Sequence, residues 1–238
     1  MARVVTPAAD TIVDAGKDTV CRGEICGVLI SLWIVVLFLV GCSGETVSHD
    51  DPTSSTYQPT PPQPQEVGAR LVGPIVYTVD ARSRDVWMYF DFARGSVVTV
   101  QDPKTEAWDL MFQRYVIKTN GGQTNPTGQG ALLSMKERDF AAVTTVPDKA
   151  EFVTDVHPKN RPSSYNPVME KWFNYSYLAN VLVPKPLVYL VRTHDGKYAK
   201  MHILSYYCAN KSAGCLTFEY VYQGDGSPCL AAPSASGA

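Results

Sequence analysis

The residues of this 238-residue chain that could do chemistry are few and scattered. Its four histidines are His49, His157, His194 and His202, and no two share a helical or zinc-binding spacing. There is no H-E-x-x-H pair, no G-x-S-x-G elbow, no P-loop and no glycine-rich dinucleotide fingerprint. Catalysis by a hydrolase or a nucleotide enzyme therefore has no residues to rest on, and the expectation is a binding protein. His49 lies in a polar stretch and reads as solvated. His194 sits on an Asp-Gly turn and reads as an exposed turn residue. His202, between Met201 and Ile203, reads as structural. His157, before Pro158 in an irregular segment, is the histidine best placed to ligate something.

The six cysteines divide by position. Cys21, Cys26 and Cys42 lie early, whereas Cys208, Cys215 and Cys229 lie in the last part of the chain. No CxxC pair exists, and the late group lacks a fourth soft ligand, so a zinc site is not expected. Cys208 and Cys215 flank a turn, where opposing strand positions can approach disulfide distance. In an exported chain that pair is expected to be oxidised, with Cys229 either left free or replacing one partner.

The elements that must position these groups read as strands. The organising stretch is residues 108–122, WDLMFQRYVIKTNGG, in which Trp108, Leu110, Phe112 and Val116 share one face of a period-2 alternation. It reads as one strand from Trp108 through Ile117, stopped by Asn120-Gly121-Gly122. Upstream, residues 75–80 and 86–92 read as strands, and Ala93-Arg94-Gly95 turns the chain into a return strand at 96–101. Residues 121–130 hold four glycines and a proline and read as a long loop. Residues 131–135 and 172–178 read as further strands, 136–142 as a turn or two of helix, and 153–167 as irregular. The clearest pattern comes last: strands at 187–193, 198–207 and 215–223 form a meander, its first turn carrying Asp195-Gly196. The fold class is all-β, an antiparallel meander or sandwich with few short helical turns.

Composition agrees with one globular domain, with 45% hydrophobic and 18% charged residues. Net charge is −2, and removing residues 1–41 leaves −1, so no electrostatic nucleic-acid partner is indicated.

Residues 28–40 are an apolar run interrupted only by Ser31, too short for a spanning helix but suited to a signal-peptide core. The run ends in Leu39-Val40-Gly41-Cys42, which resembles a bacterial lipobox. Residues 1–41 are thus expected to be a lipoprotein signal peptide and Cys42 the lipidated residue. The leader is longer than such leaders usually are, which predicts a start downstream of Met1. Residues 42–70 are rich in Pro, Ser, Thr and Gln and read as a disordered tether that holds the domain on the order of 30 Å from the anchor. The domain is expected over 71–225, with a frayed tail at 226–238.

The segment WDLMFQRYVIKTNGG resembles the signature of the HmuY-like family of haem-carrier lipoproteins. WMYFDFARGSVVTV (87–100) and LVYLVRTHDGKYAKMHILSYY…GCLTFEYVYQ (187–223) fit the same family. The resemblance implies a β fold and haem as cofactor. Lipidation of Cys42 implies membrane attachment, and Ser43 after it carries no acidic retention signal, which points to the outer membrane, with a receptor there as partner. A porphyrin needs an apolar slot walled by aromatics, cations for its propionates, and axial ligands from His, Met, Cys or Tyr. By likeness to haem-binding relatives, one ligand position falls at Tyr177, with Tyr175 close by. The other falls between Val156 and Trp172, where His157 and Met169 offer themselves. A two-histidine site is not expected, and Arg114 and Lys118 are expected to be structural. The alternative is a surface lipoprotein using this scaffold to bind a protein, peptide or glycan without haem.

Overall fold

The computed structural model describes residues 51–231, all within one compact unit, Val40–Ala238. The expected signal peptide and Cys42 lie outside these residues. Eleven antiparallel strands make up the described fold, together with a single 3-10 turn at Met169–Lys171. The all-β expectation holds. Among the described residues no helix is long and apolar enough to cross a membrane.

One sheet has five strands, in the order β1 (Leu71–Asp80), β11 (Ala213–Gln223), β10 (Tyr198–Tyr207), β9 (Val188–Arg192) and β6 (Ala131–Ser134). The second has four, β3 (Ser96–Val98), β2 (Met88–Asp91), β4 (Leu110–Gln113) and β5 (Val116–Thr119). β7 (Phe173–Ser176) and β8 (Val181–Pro184) form a separate hairpin. The two larger sheets face each other across aromatic side chains. Phe112 of β4 stacks on Phe218 of β11 at 5.8 Å, and Phe90 of β2 meets Phe218 edge-on at 5.2 Å. Such pairs add to the burial of the rings themselves, which is why alternate positions of β2, β4 and β11 carry Phe and Tyr. β10 and β11 are central and apolar on both faces, as the near-continuous buried pattern of β11 records.

The organising stretch differs from its sequence reading. It is a tight hairpin, not one strand, and it breaks at Arg114-Tyr115. Arg114 takes a left-handed φ of 52°, and its guanidinium Nη1 donates to the carbonyls of Ala213 (2.8 Å) and Arg82 (3.0 Å). Those long-range bonds hold a turn that the alternation of side chains does not announce. They also make Arg114 structural. Residues 136–142 form no helix: Lys200 Nζ donates to the carbonyls of Phe140 and Val143 at 2.8 and 2.7 Å, holding the segment open.

The segments flanking the domain also differ from expectation where they are described. From Asp51 on, the Pro-rich segment is laid against the domain. Lys211 pairs with Asp51 at 2.8 Å, Ala209 donates to the Tyr57 carbonyl, and Gln63 and Gln65 donate to Ser96 Oγ and the Arg94 carbonyl. At the other end, Leu230 is fully buried beside Val143, Val146, Val188 and Leu190, and its N–H donates to Thr144. Leu230 therefore completes a second small core, and residues 228–230 are held against residues 144–146 instead of fraying. Cys208 and Cys215 are joined, with Cα atoms 4.9 Å apart, and Cys229 takes the place of neither.

Candidate functional site

A cleft of about 310 Å³ opens between β5, the loop at 161–166, the 3-10 turn and the start of β7. Its walls include Tyr115, Ile117, Tyr165 and Phe173, and Met169 lines it. Met169 is 1% exposed and belongs to the aromatic core, so it lines the cleft from the core side. Arg161 lies at the mouth, stacked over the Tyr165 ring at 4.0 Å and ion-paired with Glu170. Trp172 Nε1 donates to the Tyr115 carbonyl at 2.9 Å, which ties the start of β7 to the β4–β5 turn.

A buried polar cluster under this loop positions Met169. Asn166 Oδ1 accepts the N–H groups of Val168 (3.0 Å) and Met169 (3.3 Å), and Asn166 Nδ2 donates to Asp155 Oδ1 at 3.0 Å. Asp155 also accepts from the Thr119 hydroxyl (2.7 Å) and the Thr124 hydroxyl (2.6 Å). Burial pushes its carboxyl above the usual range, against the lowering effect of these donors. Lys118 reaches the same region, 4.8 Å over the Trp87 ring and 3.3 Å from Ser164 Oγ, and burial lowers its ammonium pKa. It braces the loop, as a structural residue would.

The four ligand candidates are not brought to one point. Met169 alone lines the cleft. His157 is exposed, and its Nε2 lies 3.1 Å from the Arg161 carbonyl. A carbonyl only accepts, so Nε2 carries the proton and Nδ1 is the nitrogen left with a lone pair. That bond links His157 to the loop bearing Arg161. Tyr175, on β7, donates its hydroxyl to Asn180 Oδ1. Tyr177 follows in the turn between β7 and β8, 87% exposed, with its ring edge-on to Tyr175 at 4.8 Å.

Two histidines read from sequence as bystanders have defined partners. His202, on β10, sits 3.1 Å from Glu219 of β11 with its ring against Phe140, a structural placement as expected. His194 is not an exposed turn residue. It is half-buried against Asp109, the acid that follows Trp108 in the organising stretch. Sequence reasoning missed Asp109; the Trp-Asp dipeptide at the head of the family signature was the available signal.

The donor set around the cleft fits a haem in type. A thioether is a soft axial ligand, aromatic walls suit a macrocycle, and a guanidinium suits a propionate. The volume lies at the low end for cofactor pockets, so a porphyrin would fill it completely.

Fold and cleft together define a β-sandwich with a lateral, aromatic-walled cleft. The model of the HmuY protein family matches residues 83–220, more than half the chain, and the chain belongs to that family. Its fold is shared with an apo HmuY analogue of Tannerella forsythia, at 20% identity and a TM-score of 0.54, over 67% of this chain and 99% of that one. It is also similar to a candidate HmuY-like haem-binding protein of Bacteroides vulgatus, at 25% identity and a TM-score of 0.51, over 66% of this chain and 98% of that one. No curated protein matches the chain.

Proposed function

We propose that this protein captures haem at the Met169 cleft and carries it at the cell envelope, without catalysing a reaction. The observation that carries this reading is a buried methionine lining an aromatic-walled opening with Arg161 at its mouth. Met169 would supply one axial ligand. His157, through Nδ1, or Tyr175 or Tyr177, from the neighbouring hairpin, would supply the other. A haem propionate would compete with Glu170 for Arg161, which makes that ion pair the catch on the loop. Bound haem supplies an iron centre to be held and passed on. The chain's own part is to ligate it, enclose it and shield it from water. Family membership supports the reading, as does the haem-binding description of the Bacteroides vulgatus protein.

Export as a lipoprotein anchored through Cys42, with the outer membrane as destination and a receptor there as partner, completes the proposal. Cys42→Ala is expected to release the protein from the membrane fraction.

Titrating haemin into the purified protein tests the binding. A shifted Soret band that Met169→Ala removes is the expected result. Separate His157→Ala, Tyr175→Phe and Tyr177→Phe variants then identify the second ligand. A spectrum identical to that of free haemin would leave the second reading, a module that binds a protein, peptide or glycan. One observation favours it: Tyr177 and Leu178 stand 87% and 103% exposed at the tip of the β7–β8 hairpin, an apolar pair open to a partner's surface.

A further inference from the structure

β1 is the edge strand of the five-stranded sheet, and it carries no charged residue from Leu71 to Val79. Edge strands ordinarily carry a lysine, a bulge or a cover that blocks pairing with another chain. Here the bulge and Pro74 both lie at one end, between Val72 and Ile75, so the Ile75–Val79 run is regular, β-branched, aromatic and free of proline. Val76 is 47% exposed and Ile75 36%. The cover is the Pro-rich arm. Thr60 donates its N–H to the Thr78 carbonyl at 2.9 Å, and its hydroxyl accepts the Thr78 N–H at 3.0 Å. One residue thus occupies both edge groups of Thr78.

The ladder stops there for a chemical reason. Pro61 and Pro62 have no N–H to offer, so the arm cannot pair further along β1. It bows outward instead, leaving a cavity of about 200 Å³ lined by Pro61, Gln63, Val72, Val76 and Tyr220, and lands again on Ser96 and Arg94. Backbone groups of alternate residues point to the same side of an antiparallel strand, so those of Val76 face the arm as those of Thr78 do. Among the described residues no hydrogen bond outside the strand ladders reaches Val76.

We propose that residues 57–65 guard the free edge of β1, and that lifting this arm lets β1 pair antiparallel with β1 of a second copy. A strand paired with itself about a two-fold axis is self-complementary, so no other partner is required. The guard works by covering the edge while its prolines keep it from becoming a strand that could itself recruit another chain. This role is independent of haem.

The full-length chain tests it. In the unaltered protein the Thr78 amide should be protected from hydrogen exchange and the chain should sediment as a monomer. Thr60→Pro removes both bonds to Thr78, so that amide should exchange about tenfold faster or more, as local opening predicts. The variant should also associate with rising concentration. Val76→Lys, folded and monomeric by itself, should return the Thr60→Pro variant to monomer by placing like charges across the new pair. Unchanged Thr78 exchange in Thr60→Pro would overturn the guard. A Thr60→Pro variant that stays monomeric, or that associates regardless of Val76→Lys, would overturn the pairing of β1 with itself.

Discussion

His194 donates both its backbone N–H and its Nδ1–H to one oxygen of Asp109, each at 2.9 Å. The other Asp109 oxygen accepts the Phe92 N–H at 2.8 Å. A single buried carboxylate thus ties the tip of the β9–β10 hairpin to the four-stranded sheet. Burial opposes charge on the imidazole. The hydrogen bond and charge of Asp109, with Asp195 and Asp91 behind them, outweigh it and raise the His194 pKa above its ordinary 6.5. A raised folded-state pKa contributes stability that is fully present below the unfolded value and is lost as pH rises through the folded one. The stability gap between the unaltered protein and His194→Gln should therefore be widest below pH 6.5 and should narrow above it. Thermal melts of both proteins across that range check the sign; a gap that widens with pH would contradict it.

Arg114 closes the β4–β5 turn by reaching the carbonyls of Arg82 and Ala213. Arg114→Ala should lower unfolding stability by about 1–3 kcal/mol, the usual range for charge-assisted bonds to partly buried acceptors. Urea denaturation measures this. Arg114→Gly relieves the positive φ but leaves the same carbonyls unpaired, so it should recover only part of the loss.

Asn166 joins Asp155 to the turn that presents Met169. Asn166→Ala should cost about 1–3 kcal/mol by leaving buried groups unsatisfied. It should also speed hydrogen exchange at the Met169 amide and weaken haemin binding without removing the thioether. Equal haemin affinity in the two proteins would separate Met169 positioning from binding.

The Cys208–Cys215 bridge closes a short loop at the β10–β11 turn. Loop-closure entropy for so few residues limits its contribution to about 2.5 kcal/mol. The Cys208→Ser/Cys215→Ser double variant should fold and lose no more than that in urea denaturation, because β10 and β11 pair along most of their length.

The sequence alone determined what depends on local chemistry. Period-2 alternation gives strands wherever one face is buried, and Asp195-Gly196 turns a hairpin with Gly196 at a φ of 84°. The strands from β9 onward, the all-β class and the family signature were therefore legible. So was the importance of residues 108–122, though not their shape. Their break at Arg114 depends on carbonyls 32 and 99 residues away, and no local pattern encodes such partners.

The tertiary structure alone decided the rest. A Pro- and Gln-rich segment reads as a tether because it buries little, yet hydrogen bonds to Thr78, Ser96 and Arg94 hold it against a sheet edge. Met169 was one of four ligand candidates by position in the chain. Its place in a cleft follows from Asp155 and Asn166, which are distant in sequence from β5 and Tyr115 but adjacent to them once the sheets have closed. Strand periodicity specifies which face of a ribbon is apolar. Which ribbons and loops share a cavity is specified by how the faces pack, and that information is long-range.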